Sequence, residues 1–326
     1  MRVLIVGCGQ LGSRHLQAVA SLAQVKEVEV VDPRLSALKL GQDRLNEMSD
    51  CQSSISFRWL TKLNEASKEA DLCVLATQAD CRLDLFQEII KLINCKKFIF
   101  EKLVAQSMKE YEELLSIASG RNLSIWINCK ARAHDSHKRV KSNLDLKDPI
   151  IFTVSGGNHG LANNGVHAAD LFVFFDGAKK IEWDGGHIDP ILHPSKRGNR
   201  IFDLSGTMVG HTEKGSHFAI TFSGDHVGPT QFVVMSKRYR AVIDDVTKWF
   251  YESTAESGWK WKKVPFDSDL MVSNMSRTFV RNILSYGGCE LPTLQECYPA
   301  HQFILENLQP HFDKILGEQI NRCPVT

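Results

Sequence analysis

The stretch "VLIVGCGQLGSRHLQAV" (residues 3–19) decides the fold of the first part of this chain. Its opening apolar run predicts a buried strand, and the amphipathic residues after Gly12 predict a helix that follows at once. Each glycine has a steric reason: Gly7 permits a tight turn, Gly9 lets backbone approach a pyrophosphate, and Gly12 lets helix and strand pack closely. The helix N-terminus supplies N–H groups for phosphates. These features predict a dinucleotide-binding loop formed by Gly7, Cys8, Gly9, Gln10, Leu11 and Gly12.

A second strand, "VEVVD" (28–32), ends in Asp32, twenty residues past Gly12. A carboxylate in that place accepts hydrogen bonds from the ribose hydroxyls of NAD and repels the 2′-phosphate of NADP. Asp32 therefore favours NAD as the cofactor. Arg34 keeps NADP possible, because a guanidinium can pair with that phosphate.

Strand-like and helical segments alternate through the first 128 residues. Strands are predicted at Val3–Val6, Val28–Val31, Leu72–Ala76, Phe98–Phe100 and Leu123–Ile127, and helices around 11–24, 35–48, 82–94 and 107–119. This alternation predicts an α/β domain of the Rossmann type, with a doubly wound parallel sheet. Two strand ends add candidate cofactor-binding residues, since ligands of such sheets bind at the carboxyl edge. They are Thr77, Gln78, Glu101 and Lys102, although Lys102 could equally be a solvated lysine.

After about residue 150 the pattern changes to strand-like segments with polar and glycine-containing turns between them. The segments are "PIIFTVSG", "IFDLSGTMVGH", "SHFAITFSG", "TQFVVMS" and "YRAVIDD", followed by a helical tail in "SDLMVSNMSRTFVRNILSYG" and "LPTLQECYPAHQFILENLQ". This order predicts an α+β domain with a large, mostly antiparallel sheet. The expected domains are therefore 1–128, which binds dinucleotide, and 129–326, which binds substrate.

Composition excludes several classes of protein. With 39 basic and 38 acidic residues the charge is nearly balanced, so neither nucleic acid nor an anionic membrane is an expected partner. No apolar run reaches the ~18 residues of a membrane span, and the N-terminal run is too short for a signal peptide. The nine cysteines are scattered and never spaced C-x-x-C, which is typical of a reducing cytoplasm without disulfides. No two of the twelve histidines are four residues apart, so no metal site is predicted.

The stretch "NNGVHAADLFVFF" (163–175) mixes polar and apolar residues on one helical face. His167, Asp170, Leu171 and Phe174 follow the i, i+3, i+4, i+7 spacing. Leu171 and Phe174 fit a core, so His167 could be a core or capping histidine. It could also be a catalytic base, which the rest of the chain has to support.

With these pieces in view, the chain resembles the Gfo/Idh/MocA oxidoreductases, the family of glucose–fructose oxidoreductase and inositol dehydrogenase. The resemblance spans nearly the whole length and is carried by "GCGQLGSRH", "ATQAD", "EKL", "NCKAR", "GVHAAD" and "LPTLQECYPAHQFILENL". It implies a Rossmann domain joined to an open-faced antiparallel sheet, and assembly through that sheet into a homodimer or homotetramer. It also implies NAD or NADP as cofactor and oxidation or reduction at a carbinol carbon of a sugar, cyclitol or sugar-nucleotide derivative.

The resemblance also implies roles for single residues. Lys102 matches the lysine of the family's Glu-Lys-Pro motif, His167 its active-site histidine, and Asp170 the aspartate of its H-x-x-D pattern. The sequence departs from the family in two places. Leu103 replaces the usual proline, and Asn163 replaces an aspartate of the inositol-dehydrogenase-like members.

This assignment gives the histidine a chemical purpose. Hydride leaves a carbinol carbon only if the hydroxyl proton also leaves, and a nearby base removes that proton. We expect His167 in the first turn of its helix, capped by Asn163 or Asn164, where the positive helix end favours the neutral, proton-accepting ring. Asp170 would hold the ring, and Lys102 would stabilise alkoxide character on the reacting oxygen.

The loop "SGGNHGLANNG" (155–165) leads into His167 and is rich in amides, which suit the hydroxyls of a polyol. Candidate substrate contacts are Arg132, Asn158, His159, Asn163, Asn164 and His167. The alternative for the loop is a glycine-permitted turn with its own asparagine caps. Arg132 could instead bind an anionic group, and Trp249, Trp259 and Trp261 could either stack on sugar rings or pack in the core.

Two other functions stay open. One is a non-catalytic regulator that uses the dinucleotide as a signal, although retention of both Lys102 and His167 favours an enzyme. The other is a reductase of a non-sugar substrate such as a tetrapyrrole or an imine, because fold alone does not settle chemistry.

Overall fold

The computed structural model describes residues 1–195, 197–198, 200–265 and 271–326. The chain forms two compact units. The first contains Met1–Ala105, Glu110–Lys130 and a later segment that ends at Gln295. The second contains Gln106–Lys109, a long segment that begins at Ala131, and Glu296–Thr326. The later segment of the first unit falls in the part of the sequence expected to form the second domain.

Eight helices and sixteen strands are found in the described residues. The helices are α1 (Gly12–Ala20), α2 (Leu35–Asn46), α3 (Arg82–Leu92), α4 (Met108–Gly120), α5 (Asp135–Asn143), α6 (Leu161–Asp176), α7 (Val272–Tyr286) and α8 (Tyr298–Leu316). The strands are β1 (Arg2–Val6), β2 (Glu27–Val31), β3 (Ser56–Leu60), β4 (Leu72–Leu75), β5 (Lys97–Phe100), β6 (Ser124–Ile127), β7 (Ile151–Gly156), β8 (Glu182–Ile188), β9 (His193–Pro194), β10 (Phe202–Asp203), β11 (Gly206–His211), β12 (His217–Phe222), β13 (Gln231–Met235), β14 (Tyr239–Asp244), β15 (Trp249–Thr254) and β16 (Lys262–Lys263).

The sheet of the first unit is parallel throughout, in the order β3-β2-β1-β4-β5-β6. The doubly wound sheet predicted from the sequence is thus confirmed. Its central strands are covered on both sides, since every residue of β4 and all but the first of β1 are buried. The order reverses between β1 and β4, and in such sheets this switch point is where ligands bind.

The edge strand β3 was not predicted from the sequence. Its first four residues alternate between exposed and partly covered positions and only the last, Leu60, is buried, so no continuous apolar run marks the strand. Arg58 in β3 instead pairs with the buried Glu29 of β2, whose other oxygen accepts the N–H of Ser67 at 2.9 Å. A polar cross-strand pair therefore holds this edge.

Helix α7 packs along α1 within the first unit. Its buried face carries Phe279, Val280, Ile283 and Leu284. The amide of Gln24, just after α1, donates to the backbone oxygen of Arg281 at 3.4 Å. The predicted helical tail contained this helix; residues 268–270 of that prediction lie outside the described residues.

The second unit contains an eight-stranded sheet in the order β16-β15-β14-β13-β7-β12-β11-β8. Strands β7 and β12 are parallel, and the other neighbours are antiparallel. This mixed, mostly antiparallel sheet confirms the predicted α+β architecture.

One face of that sheet packs on α6 and α8 through stacked phenylalanines. The ring of Phe172 in α6 lies 4.8 Å from that of Phe218 in β12 and 6.2 Å from that of Phe152 in β7. The ring of Phe218 also lies 5.5 Å from that of Phe303 in α8. Burial of such large rings supplies much of the hydrophobic stabilisation of the unit.

The tryptophans of this unit do not pack in the core, so that interpretation of the sequence is wrong. Trp249, Trp259 and Trp261 are 39%, 38% and 47% exposed. The guanidinium of Arg240 lies over the rings of Trp259 and Trp261, at 5.3 and 4.4 Å from their centroids.

Among the described residues, no helix combines the length and apolar character needed to cross a membrane.

Candidate functional site

The loop between β1 and α1 has the shape of a phosphate cradle. Gly7 adopts a φ of +89°, which other residues rarely reach. A Cβ on Gly12 would lie 1.8 Å from the carbonyl oxygen of Gly7, so only glycine fits there. A Cβ on Gly9 would meet nothing closer than an Arg34 nitrogen at 3.7 Å. The loop therefore turns tightly against the sheet and leaves open space beside Gly9, as a bound pyrophosphate requires.

A cation that sequence reasoning missed fastens this loop. Arg44 of α2 donates through Nη1 to the carbonyl oxygen of Gln10 at 2.7 Å and to the hydroxyl of Ser13. Its Nη2 donates to the side-chain oxygen of Gln10. Arg44 thus fixes the loop and also adds positive charge beside it. No spacing in the sequence connects residue 44 with residue 10.

Asp32 and Arg34 form a pair at the end of β2. The Cys8 N–H donates to Asp32 Oδ2 at 2.9 Å, and Arg34 donates to both carboxylate oxygens, through Nε at 3.1 Å and Nη2 at 3.0 Å. Burial would raise the pKa of Asp32, but the hydrogen bonds from Arg34 and Cys8 outweigh it and lower that pKa. The carboxylate is therefore ionised, and it is covered by a guanidinium that is itself 65% exposed.

The loops after β4 and β5 are tied together by Arg82, a buried residue of α3. Its two terminal nitrogens donate to the backbone oxygens of Thr77 and Leu103. The peptide bond between Lys102 and Leu103 is cis. The hydroxyl of Thr77 is buried without a hydrogen-bond partner in the structure, and the Thr77 methyl group lies beside Gly7. Arg82 thus holds the two predicted strand ends together at one edge of the sheet, and the Thr77 hydroxyl there has no hydrogen-bond partner.

Glu101 at the end of β5 faces the interior of the first unit. Its Oε1 lies 2.7 Å from His15 Nε2 and accepts the Asn128 amide at 2.8 Å. Burial would raise the pKa of Glu101, but the hydrogen bond and charge of His15, the Asn128 amide and the Lys102 charge bring it down to about 2. This ionised anchor fixes the backbone just before Lys102, whose side chain is also buried. His15 and Asn128 were not identified from the sequence.

The low pKa of Glu101 predicts acid-sensitive stability in the first unit. A carboxyl whose pKa falls from 4.5 to about 2 on folding contributes stability above pH 4.5 that is lost as pH falls through this range. The contribution is about 3 kcal/mol at pH 7, since one pKa unit corresponds to about 1.4 kcal/mol. Glu101→Gln should therefore be less stable than wild type at pH 7, and the difference should shrink as pH falls from 4.5 toward 2. Urea unfolding measures both, and the exposed Glu88→Gln is the control. A difference that stays constant with pH would contradict the assigned pKa.

In the second unit, helix α6 begins earlier than expected, which changes the position of His167. The N-cap residue is Gly160 and no side chain of the helix caps it. Instead Asp203 Oδ1 accepts the N–H groups of Ala162 and Asn163, at 3.0 and 3.2 Å. His167 is the seventh residue of α6, so the predicted first-turn position and asparagine cap are wrong. The helix-end effect invoked for His167 acts only within the first turn, so it does not apply at this position.

The two asparagines of this stretch have different surroundings. Asn163 is buried; its amide donates to the Phe202 carbonyl at 2.9 Å, and its oxygen accepts the Thr326 N–H at 2.8 Å. Asn164 is exposed, three residues before His167 on the same helix. Asn163 therefore fastens the chain end to α6, whereas Asn164 is accessible to a ligand.

Asp170 forms a buried ion pair with Arg132. Arg132 donates through Nε to Oδ2 at 2.8 Å and through Nη2 to Oδ1 at 2.6 Å, and the Cys297 thiol lies 3.2 Å from Oδ1. The side chain of Asp170 is 0% exposed and that of Arg132 is 9%. The Arg132 guanidinium also lies 5.6 Å from the ring centroid of Phe174. Asp170 and Phe174, a polar and an apolar residue of the same helix face, thus both contact Arg132.

The loop before α6 holds an unusual backbone. Asn158, His159 and Gly160 have φ values of 66°, 39° and 132°. The His159 N–H donates to the Ser223 carbonyl at 3.0 Å, and the His159 ring stacks on His193 with centroids 4.5 Å apart. Left-handed backbone at two successive non-glycine residues is costly and is found where a loop is held for a function.

The structure sorts the predicted residues into two groups in the second unit. Asn158, His159, Asn164 and His167 are at least partly exposed, whereas Arg132, Asn163 and Asp170 are buried. Asp203, which caps α6, was missed because it lies far along the chain from the helix it caps. No local pattern signals such a contact.

Comparisons with known proteins give the fold a context. No protein-family model and no curated protein matches the sequence. Solved structures do match, among them an oxidoreductase from Agrobacterium radiobacter in complex with NAD+, L-tartaric acid and magnesium. It is 12% identical with a TM-score of 0.73, over 93% of this chain and 94% of that one. A UDP-N-acetylglucosamine 3-dehydrogenase from Acidithiobacillus ferrooxidans is 14% identical with a TM-score of 0.71, over 94% and 96%. A variant of a 3-ketoreductase from Actinomadura kijaniata, in complex with TDP-benzene and NADP, is 16% identical with a TM-score of 0.70, over 93% and 95%. At 12% to 16% identity, these likenesses confirm the fold that the resemblance in the sequence implies.

Proposed function

We propose that this protein is an NAD(P)-dependent oxidoreductase that transfers hydride to or from a carbinol or carbonyl carbon of a sugar, cyclitol or sugar-nucleotide derivative. The observation that carries the proposal is the glycine cradle at the switch point of the sheet, with Asp32 at the next strand end. A bound nicotinamide dinucleotide would accept or donate the hydride.

The dinucleotide would be held by residues of the first unit. The backbone of Gly7, Gly9 and Gly12 and the start of α1 would bind the pyrophosphate. The Asp32–Arg34 pair would meet the adenosine ribose. The fixed backbone after β4 and β5 would present Thr77, Gln78 and Lys102 to the rest of the cofactor.

The chain's own acid–base groups are Lys102 and His167, by resemblance to the family. His167 would take the proton from the substrate hydroxyl, and Lys102 would stabilise the developing negative charge on the substrate oxygen. The contacts of Asp170 support a different role from the one inferred from the sequence. Its carboxylate oxygens accept from Arg132 and Cys297, so it would act through the position of α6.

The substrate class is supported by the exposed amides and imidazole in and near the loop before α6. Asn158, His159 and Asn164 offer both donors and acceptors, which suit the neighbouring hydroxyls of a polyol. Arg132 is a poor candidate for an anionic substrate group, because Asp170 already pairs with it. Of the three solved structures compared above, two are named as enzymes acting at position 3, a 3-dehydrogenase and a 3-ketoreductase, and the first is named for a sugar-nucleotide substrate.

A substrate panel tests the proposal. The protein would be incubated with sugars, cyclitols, sugar nucleotides, an imine and a tetrapyrrole and either NAD or NADP, while nicotinamide absorbance is followed in both directions. Turnover with one class supports the proposal. Tight dinucleotide binding without turnover of any panel member would favour the regulator. Turnover of an imine or tetrapyrrole alone would favour the non-sugar reductase.

Assembly into a homodimer or homotetramer stays a prediction.

The Asp32–Arg34 pair predicts the choice of cofactor. Calorimetry should give tighter binding of NAD(H) than of NADP(H), because a 2′-phosphate must approach the ionised Asp32. Asp32→Ala should weaken NAD(H) binding by about 10-fold or more, as expected when a charged hydrogen bond is lost. Asp32→Ala should also narrow or reverse the difference in affinity between NAD(H) and NADP(H). Asp43→Ala, which removes an exposed carboxylate on α2, is the control. A wild-type preference for NADP(H) would overturn the role given to Asp32 and assign recognition to Arg34.

A further inference from the structure

Three titratable side chains of the second unit lie together apart from the residues used above. His134 directly precedes α5, His137 lies in the first turn of α5, and Asp245 follows β14. His134 Nδ1 and His137 Nε2 lie 3.3 and 3.5 Å from Asp245 Oδ2. The three side chains are only 6%, 0% and 13% exposed. The cluster is therefore buried and convergent.

The ring nitrogens of this cluster are not satisfied by the protein. Nδ1 and Nε2 of His134 and Nε2 of His137 are buried and have no hydrogen-bond partner in the structure. Buried polar side-chain atoms are nearly always hydrogen-bonded, so three such nitrogens at one place need an explanation. The nearby Asp245 carboxylate does not explain them, because neither His134 Nδ1 nor His137 Nε2 forms a hydrogen bond with it.

The spacing of the atoms fits a metal ion. Ligands about 2.0–2.1 Å from a tetrahedral zinc ion lie about 3.3–3.4 Å from one another. The two nitrogen–oxygen distances, 3.3 and 3.5 Å, match this value, and all three ligand atoms lie within 4.8 Å of one another. We propose that His134 Nδ1, His137 Nε2 and a carboxylate oxygen of Asp245 bind one divalent transition-metal ion of the zinc class, with water as the fourth ligand.

The surroundings of the cluster hold the ligands in place. His137 Nδ1 lies 2.8 Å from the Ala131 carbonyl oxygen; it must donate there, which leaves the Nε2 lone pair for a metal. The rings of Phe175 and Phe232 lie edge-on to His137, at 6.0 and 5.4 Å. Metal-binding imidazoles are characteristically fixed by such a hydrogen bond in an apolar shell.

The turn that carries Asp245 is also fixed. The neighbouring Asp244 accepts the N–H groups of Val246 and Thr247, each at 2.9 Å. A metal here would join the start of α5 to the end of β14. Two imidazoles and one carboxylate suit zinc or a similar ion better than magnesium or calcium, which prefer oxygen ligands.

This site departs from the expectation of no metal drawn from the sequence. That expectation rested on the absence of histidines four residues apart, whereas His134 and His137 are three apart. The third ligand is more than a hundred residues further along the chain, and only the fold brings it to the pair.

Metal titration of the full-length, chelator-treated protein tests the site. Wild type should bind about one zinc ion per chain in this site, and excess zinc at about 100 times Kd should raise the melting temperature by about 5 °C. Cobalt in its place should give visible d–d bands typical of a tetrahedral nitrogen and oxygen site. His134→Gln, His137→Gln and Asp245→Asn should each weaken zinc binding by more than the ~10–100-fold typical of an outer-shell partner.

A matched control and a second variant keep the outcome clear. His187→Gln changes a histidine that is 85% exposed and should bind zinc as wild type does. If His137→Gln does not fold, the near-isosteric Asp245→Asn decides. The proposal is overturned if wild type binds no zinc, if Asp245→Asn binds it unchanged, or if near-ultraviolet bands show that cobalt is held by thiolates.

Discussion

Replacing either Lys102 or His167 should slow hydride transfer by about 10²–10⁴-fold, the usual cost of removing a catalytic acid–base group. Lys102→Met keeps most of the volume of a buried side chain but removes its charge. His167→Asn keeps polarity at a partly exposed position of α6. The His167→Asn variant should bind dinucleotide nearly as wild type does, because His167 lies outside the glycine loop and outside the strand ends given to the cofactor. Single-turnover kinetics on a substrate identified from the panel measures the loss.

Two further measurements distinguish catalysis from packing at His167. If the two residues act in the same transition state, the double variant should lose less than the product of the single losses. A core histidine would instead lower the melting temperature and leave the rate of hydride transfer per folded molecule unchanged. His187→Asn, which alters an exposed histidine, controls for loss of imidazole in general. Unchanged transfer by His167→Asn would exclude the proposed base.

Asp170→Leu should lower the free energy of unfolding by about 3–5 kcal/mol, because it removes the carboxylate that neutralises the buried Arg132 guanidinium. The pair is bidentate and nearly inaccessible, with side-chain exposures of 0% and 9%. Burial raises the pKa of Asp170 while Arg132 opposes that rise. Replacing only one member of this ion pair should therefore destabilise the protein strongly. Chemical denaturation followed by circular dichroism measures the change.

The matching double variant sharpens this prediction. Arg132→Met combined with Asp170→Leu should recover most of the loss, since an apolar pair of similar volume often replaces a buried ion pair without cost. The exposed pair of Lys39 and Asp43 gives the control, where Asp43→Ala should change stability by no more than about 1 kcal/mol. Equal losses in the single and double variants would mean that Arg132 and Asp170 are not energetically coupled.

Local patterns in the sequence were sufficient for the first unit's sheet, apart from its edge. Strands β1, β4, β5 and β6 contain continuous apolar runs, and β2 is apolar from Val28 to Val31 except for Glu29. The glycines between β1 and α1 have a local steric cause. Strand β3 was missed because Arg58 pairs with Glu29 instead of forming an apolar stripe. Its place is set by a partner on another strand, which periodicity does not register.

In the candidate site too, residues at short spacings could be predicted from the sequence, and contacts between distant residues could not. The residues of the glycine loop and Asp32 are related by fixed short spacings, so the sequence contains their geometry. The cap of α6 by Asp203 depends on a contact made across about forty residues. So does the pairing of Asp170 with Arg132. A helical wheel places His167, Asp170 and Phe174 on one face of α6, but it does not locate the start of the helix. Because α6 begins at Leu161, His167 lies beyond the first turn.

The return of the chain to the first unit has a consequence for synthesis. The strands of the parallel sheet are all translated before the second sheet begins, yet α7, which packs along α1, is translated only after β16. Until α7 emerges from the ribosome, the α1 surface that it covers has no partner, and domains completed from one continuous stretch do not face such a delay. The nascent first unit would therefore stay open to chaperones while the whole second sheet is being made.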